Sequence, residues 1–442
     1  MTSMKNNSVK DKEVKKEVKK TILLLSLIIV VGFLTRSYFW VYGFSGFDVK
    51  EPGGMYAQEG FLNSASDIVT TFASKNPTLI NKDEIVARYL YPLYLTPIYI
   101  FRLNESTYIF WLHHFFVAFT IIFIFLSASQ LEGANVGLLG AFVYACHLHV
   151  AYWFNWLNFL EPFHFQLSMF MYFSLLCWKR ASGKHLFLMA ISGVMLIFTR
   201  PEGMPIAAVA LLVLVYRLMV PHFGATRVIA VFLGSTLIFM LSGVYVLTQN
   251  KVVREVVFSS VHARNALYYS SQETPTQAKL VDEKIHEMNV VCGAKAAADP
   301  EKRNSYYWCS VEGLKRIKND PLNYIYVFVK RIPHVIYPSF FREGVSWRYK
   351  LIDRSIMFFI TLGVIYALIF RKKEKLGLMG LTLMGLTIYL IVIFIQSEWD
   401  VRVQLSAHVL LIPVASLGWI MFQTEFMKNF DQSGNVLPET KN

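Results

Sequence analysis

The sequence predicts an all-α fold: a polytopic transmembrane helical bundle that carries one extracytoplasmic loop domain. Three observations predict it. Of the 442 residues 55% are hydrophobic and only 17% charged, and the charges gather between long stretches that hold almost none, which is a membrane composition. Many apolar runs come close to the ~20 residues needed to cross a hydrocarbon core of roughly 30 Å. The net charge of +13 sits in short segments flanking those runs: the N-terminal tail, Lys179-Arg180 with Lys184, Arg217 with Arg227, and Arg371-Lys372-Lys373 with Lys375. That placement is the positive-inside arrangement of a membrane protein and not a nucleic-acid-binding stripe.

Residues 1–20 read as a cytoplasmic basic tail, with Lys10, Lys12, Lys15, Lys16, Lys19 and Lys20 leading into the apolar run Thr21 to Tyr42. That run is too long for a signal-peptide core, and no small-residue cleavage site precedes Ser45-Gly46, so it is expected to be a retained first span. Further spans are expected at 107–129, 135–154, 161–178, 186–199, 203–220, 228–248, 353–370, 376–396 and 405–423, about ten in all. With the N-terminus inside, every basic cluster then falls in the cytoplasm.

Tyr89 to Phe101 is apolar but only about 13 residues long, too short for a span. It contains Pro92 and Pro97 between Arg88 and Arg102. It reads as an interfacial helix, one of those expected at about 50–105. Residues 186–220 would make a single helix roughly 50 Å long. The break Thr199-Arg200-Pro201-Glu202-Gly203 divides them into two helices hinged at the outer surface, with Pro201 ending the first.

The stretch 21–249 is thus an N-terminal transmembrane module, and 250–352 an extracytoplasmic loop domain. The latter is polar, with Pro275, Asp299-Pro300 and Asp320-Pro321, and contains Cys292 and Cys309. Outside the cytoplasm these two cysteines can form a disulfide, which would stabilise such a loop by roughly 3 kcal/mol; two unpaired thiols are the alternative. Cys146 and Cys177 fall inside helices as small packing residues. Residues 353–423 form C-terminal transmembrane helices, and 424–442 a cytoplasmic tail.

Ionisable groups at membrane depth cost several kcal/mol unless paired or hydrated. Four sets stand out: Asp48, Glu51 and Glu59 beyond the first span; Glu161 and His164 at the head of the fourth; Arg200 and Glu202 at the hinge; and Glu398, Asp400 and Arg402 before the last. Each set alone could be ordinary loop charge. All four map to one face, and together they make a shared polar cavity the better explanation. Glu161-x-x-His164 has the spacing of carboxylate metal sites. A divalent metal ion on His164 and a neutral, hydrogen-bonding His164 both stay open. His113-His114 and His147-x-His149 lack the larger cytoplasmic histidine set of a di-iron oxygenase and read as packing or interface residues.

In their order, several features of the chain are similar to those of a known family. They are an acid shortly after the first span, Pro92-Leu93-Tyr94, Glu161-Pro162-Phe163, Thr199-Arg200-Pro201-Glu202-Gly203, Asn319-Asp320-Pro321 leading into Lys330-Arg331, and Asp400-x-Arg402 followed by Pro413. The chain resembles the polyprenol-phosphate-dependent membrane glycosyltransferases of the GT-C class, such as the protein O-mannosyltransferases and the lipid A aminoarabinose transferase.

The resemblance implies a GT-C-like bundle. It also implies transfer of a sugar from a polyprenyl-phosphate donor to an acceptor hydroxyl, by in-line displacement with inversion, on the outward face of a bacterial cytoplasmic membrane. Asp48 would be the base, with Glu51 and Glu161 as further catalytic acids. The family often carries two adjacent acids after the first span, whereas here Asp48, Glu51 and Glu59 are spread out, so the choice of base among them stays open. Arg88, Arg200, Arg331 and Arg402 are candidates for the donor phosphate, since a guanidinium binds phosphate bidentately; snorkelling to the headgroups is the alternative for Arg88. Tyr56, Glu59, Glu202 and Asp400 complete the substrate-binding set.

The partners implied are the sugar donor, a glycan, lipid or protein acceptor and the bilayer, with no nucleic acid. The competing functions are a lipid or polysaccharide transporter, disfavoured by charges confined to one face, and an O-antigen-type polymerase or ligase, whose basic loop motifs are not evident.

Overall fold

The computed structural model describes residues 2–42, 53–74, 90–153, 160–200, 203–219, 290–299, 347–371, 375–395 and 401–434, with short stretches between 308 and 326. The described elements are helices: α1 (Thr2–Tyr42), α2 (Gly53–Ser74), α3 (Leu90–Phe101), α4 (Glu105–Glu132), α5 (Ala134–Ala145), α6 (Leu148–Trp153), α7 (Leu160–Lys179), α8 (Gly183–Thr199), α9 (Gly203–Met219), α10 (Trp347–Phe370), α11 (Lys375–Ile395) and α12 (Val401–Gly434). The expected span at 228–248 lies outside the described residues.

Three described helices, within Glu13–Tyr38, Glu105–Glu132 and Leu405–Lys428, are long and apolar enough to cross a membrane by length and composition alone. The helices at 183–199, 203–218, 354–370 and 376–390 are apolar but shorter.

The structure departs from the expected elements in three places. The basic tail is the first half of α1, because its Lys- and Glu-rich sequence consists of strong helix formers with Glu and Lys three or four residues apart. At the other end α12 runs on to Gly434, beyond the expected limit of its span. The expected span 135–154 is not one helix: it breaks after Ala145 into α5 and α6, for a reason that belongs to the site below.

Helix ends are set by local chemistry. Asn104 caps α4 by accepting from the Thr107 N–H at 3.0 Å, and Ser182 caps α8 through the His185 N–H. Gly133, at φ 99°, joins α4 to α5 in a single residue and bonds back to the Ser129 carbonyl, a conformation that an L side chain rarely adopts. The segment expected to be interfacial is a separate short helix, α3. It ends with Arg102 at φ 51° and the Leu103 N–H on the Ile98 carbonyl at 2.9 Å, the six-to-one bond of a Schellman cap.

Helix α12 is the centre of the bundle, touching α4, α5, α6, α7, α10 and α11. Its apolar window is 78% buried, whereas that of α1 is 6% buried, so α1 is peripheral and shows most of its apolar surface to lipid. The core joins Ile124 and Leu131 of α4, Leu167 and Leu175 of α7, Leu196 of α8, Leu381 and Met384 of α11, and Leu410 to Leu417 of α12. Where α10 crosses α12, a Cβ added at Gly418 would lie 1.9 Å from the Gly363 carbonyl oxygen. The backbones meet there directly, in the small-residue packing typical of membrane helices. Beside the crossing Trp419 stacks on Phe359 and donates to its carbonyl at 2.8 Å.

The bundle has two distinct ends. At one, the C-termini of α4, α7 and α10 converge: Lys179 donates to the Gln130 carbonyl, and Arg371 pairs with Glu132 at 2.7 Å. These cations answer the unsatisfied carbonyls and partial negative charge of the α4 terminus. At the other end α1, α5 and α8 finish where α7 and α12 begin.

Outside the bundle, Lys295 pairs with Glu312 at 2.6 Å, and Trp308 donates to the Asp299 carboxylate at 3.0 Å. Cys292 is disulfide-bonded, Cys146 and Cys177 are free, and Cys309 lies outside the described residues.

Candidate functional site

The break between α5 and α6 leaves the last carbonyls of α5 without partners in their own helix. Arg36 of α1 supplies them: its Nη1 donates to the Ala145 carbonyl at 2.7 Å and its Nη2 to the Tyr144 carbonyl at 3.3 Å. Nη1 also reaches the Gly32 carbonyl at 3.4 Å, and the guanidinium stands 5.2 Å from the centre of the Tyr144 ring. After the break His147 turns inward and hydrogen-bonds His408 of α12 at 2.8 Å, with the two rings stacked. A buried cation and a buried histidine pair thus hold a helix break where hydropathy alone reads continuous helix.

On the facing side α7 carries Glu161 in its first turn. Pro162 follows it in the first turn, where a missing N–H costs nothing, and the spacing places His164 one turn on. The Tyr144 hydroxyl and His164 Nδ1 share a hydrogen bond of 3.1 Å, and His164 Nε2 meets the Ser406 hydroxyl at 3.2 Å. Both ring nitrogens are therefore engaged with hydroxyls, which turn to suit either tautomer. Tyr144→Phe leaves Nδ1 without this partner in a buried place. It is expected to lower stability by about 1–3 kcal/mol, measured as thermal unfolding in detergent.

Glu161 is 1% exposed, and both its carboxylate oxygens are buried with no hydrogen-bond partner. Such a group is costly unless something else answers it. Arg200, at the end of α8, is equally buried, with its guanidinium 5.6 Å from the centre of the Phe163 ring. Among the described residues of the membrane helices the buried charges are Arg36, Arg200 and Glu161.

Helix α3 closes one flank. Tyr91 hydrogen-bonds His113 of α4 at 2.8 Å. Gln166 of α7 donates to the Tyr94 hydroxyl at 2.8 Å, and Tyr108 donates to the Tyr94 carbonyl at 2.8 Å. Burial pushes the Tyr94 phenol up to about 12, against the opposing effect of the Gln166 bond, so Tyr94 is a neutral fixture of the dock. His114 packs against Phe33 and hydrogen-bonds Ser37 at 3.1 Å.

Of the residues singled out in the sequence, the structure brings Glu161, His164 and Arg200 together at one end of the bundle. Asp48, Glu51, Arg88, Glu202, Arg331, Glu398 and Asp400 lie outside the described residues. So do the side chains of Tyr56 and Glu59 on α2 and of Arg402 on α12. Among the described residues no group of three His, Cys, Asp or Glu side chains is placed to hold a metal ion. The unpartnered oxygens of Glu161 fit a cation, and Asp48, Glu51 and the Glu59 side chain lie outside what is described.

Sequence reasoning missed Arg36, Tyr144, Ser406 and His408. For Arg36 the signal was present: a lone arginine deep in the first apolar run, at a depth where a cation needs a reason.

No protein-family model and no curated protein matches the chain. Solved structures do. The archaeal oligosaccharyltransferase AglB from Archaeoglobus fulgidus, in complex with an inhibitory peptide and a dolichol-phosphate, is similar at TM-score 0.51 and 12% identity, over 92% of this chain and 52% of that one. The A. fulgidus oligosaccharyltransferase in its apo form gives TM-score 0.52 at 11% identity, over 92% and 52%. The same enzyme tethered by a disulfide to an acceptor peptide with the NVT sequon gives 0.52 at 11%, over 91% and 50%. The chain spans about half the length of these proteins. The likeness is one of fold: nearly the whole chain shares the helical fold of these archaeal oligosaccharyltransferases, in keeping with the membrane-glycosyltransferase-like bundle that the sequence resemblance implies.

Proposed function

We propose that the chain is a membrane glycosyltransferase that moves a sugar from a polyprenyl-phosphate donor to an acceptor hydroxyl on the outward face of a bacterial cytoplasmic membrane. The observation that carries this reading is the fold, shared over 92% of the chain with a protein solved in complex with a dolichol-phosphate. The buried Arg200 near the α7 head supports it, since the leaving group is an anionic phosphate that a guanidinium can receive. The disulfide at Cys292 suits an oxidising compartment for the loop domain, with Cys309 as its partner.

In the proposed reaction the acceptor oxygen attacks the anomeric carbon from the side opposite the phosphate. The new C–O bond forms as the bond to the phosphate oxygen breaks. The acceptor proton passes to Asp48, or to Glu51 or Glu59, as general base. The polyprenyl phosphate leaves with the bonding pair, and Arg200, with Arg402, Arg88 and Arg331, receives its charge. Tyr56, Glu202 and Asp400 line the substrates. A divalent ion, when bound, would take ligands from Glu161 and the carboxylates of residues 48–59 and neutralise phosphate charge.

A second reading, transfer to a peptide amide, is favoured by the acceptor peptide tethered in one of the similar structures. The linkage found in the product separates the two.

The test is purified protein in liposomes with labelled polyprenyl-phosphate sugars, alongside mass spectrometry of surface glycans from cells with and without the protein. A new glycosidic product that depends on the protein is the expected result. Movement of the sugar lipid across the bilayer with no glycosidic product would sink the proposal in favour of a transporter.

A further inference from the structure

An arginine in an apolar helix is costly unless both its hydrogen bonds and its charge are answered. The fully buried Arg36 has its Nη1 and Nη2 answered by the carbonyls of Gly32, Tyr144 and Ala145, while its Nε is buried with no hydrogen-bond partner. Neutral carbonyls leave its charge only partly compensated. The buried carboxylate whose charge reaches it is Glu161, whose own oxygens have no hydrogen-bond partner. The two groups are complementary: among the described residues one is a buried cation with its Nε unanswered, and the other a buried carboxylate with both oxygens unanswered. Arg36 is also tied to the far side of Glu161. It fixes the Tyr144 backbone, and the Tyr144 hydroxyl holds His164 at 3.1 Å, one helical turn beyond Glu161.

We infer that Arg36 is a positioning residue of the transfer site, supplying the counter-charge of Glu161 and holding the Tyr144–His164 pair while touching neither donor nor acceptor. The inference rests on the transferase reading. Arginine suits both tasks because its planar fork bonds two successive carbonyls while keeping a permanent charge. If Arg36 were only a cap for α5, the charge would be incidental and any donor that closed the helix end would do.

Two variants separate these roles. Arg36→Lys keeps the charge and loses the fork, whereas Arg36→Gln keeps a donor and loses the charge. In the liposome assay, Arg36→Lys is expected to stay within about tenfold of wild type, while Arg36→Gln loses about a hundredfold in kcat with KM changed by less than about threefold. In the Glu161→Gln background, Arg36→Gln is expected to add almost nothing, because coupled neighbours are non-additive. An Arg36→Gln protein as active as Arg36→Lys, or losses that multiply in the double variant, would overturn the inference with the transferase reading intact. The same four proteins of the cycle, melted in detergent, test the pairing with no substrate present. A combined loss smaller than the sum supports it and an additive loss overturns it, even if the wild-type protein transfers nothing and the transferase reading falls.

Discussion

Asp48→Asn is expected to lower sugar transfer by about 10²–10⁴-fold, the usual contribution of a general base, while leaving the unfolding midpoint in detergent unchanged. The amide keeps the size and polarity of the carboxylate but cannot take the acceptor proton. Because the acids after the first span are spread out, the decisive form of the experiment compares Asp48→Asn, Glu51→Gln and Glu59→Gln in one assay. The base is the position whose loss lowers kcat without a matching rise in donor KM. A position that mainly raises KM binds substrate instead. Full activity in Asp48→Asn would remove Asp48 from the chemistry, and full activity in all three would remove this segment as the source of the base.

A single methyl group placed where α10 crosses α12 is expected to be nearly as damaging to folding as Asp48→Asn is to transfer. Gly418→Ala puts a Cβ 1.9 Å from the Gly363 carbonyl oxygen, where real Cβ atoms essentially never stand. The obstacle is backbone, so no side-chain rotation relieves it. Gly363→Ala meets the same wall from the other side, with the Ala415 carbonyl oxygen at 2.5 Å. Either the helices separate, breaking the Trp419 bond to Phe359 and loosening the core around Leu410 to Leu417, or the pair does not form. A loss of about 4 kcal/mol or more is expected, read as a fall in the melting temperature of detergent-solubilised protein. Gly183→Ala, where an added Cβ meets nothing within 4 Å, is the matched control and is expected to melt like wild type. A Gly418→Ala protein as stable as that control would show that the crossing is looser than the backbone contact implies.

Much of this architecture was legible in the chain because a membrane imposes a crude code. Length and apolarity mark spans, and basic residues mark one side. The heads of α4 and α7, the end of α8 at Arg200 and the separate short helix α3 all follow from that code with boundaries a few residues off.

The code fails where a polar contact overrides hydropathy. Nothing in Ala134 to Trp153 announces a break at Cys146, because the break is stabilised by Arg36 and His408, both far away in sequence. The extension of α1 through the basic tail was missed for the opposite reason: membrane reasoning treats a lysine-rich flank as topology and overlooks that it is also strong helix-forming sequence.

The candidate site was half legible. Glu161, His164 and Arg200 drew attention because they break apolar runs at helix ends. Tyr144 and Ser406 did not, because a tyrosine or serine within a span carries no local signal of what it faces. Arg36 did carry one, but the search weighed acids at loop edges and passed over a cation within a span.

The central place of α12 has a consequence for how the protein is made. A membrane protein enters the bilayer from its N-terminus as it is synthesised, so α1 to α11 arrive before the helix that fills the space among six of them. Until α12 arrives, the faces of α4, α5, α7 and α11 that it covers are without it, and His164 waits for Ser406, as His147 waits for His408. The nascent chain therefore passes through an inserted but unclosed state, open to insertion chaperones and to membrane proteases, which ends when the last described helix leaves the ribosome.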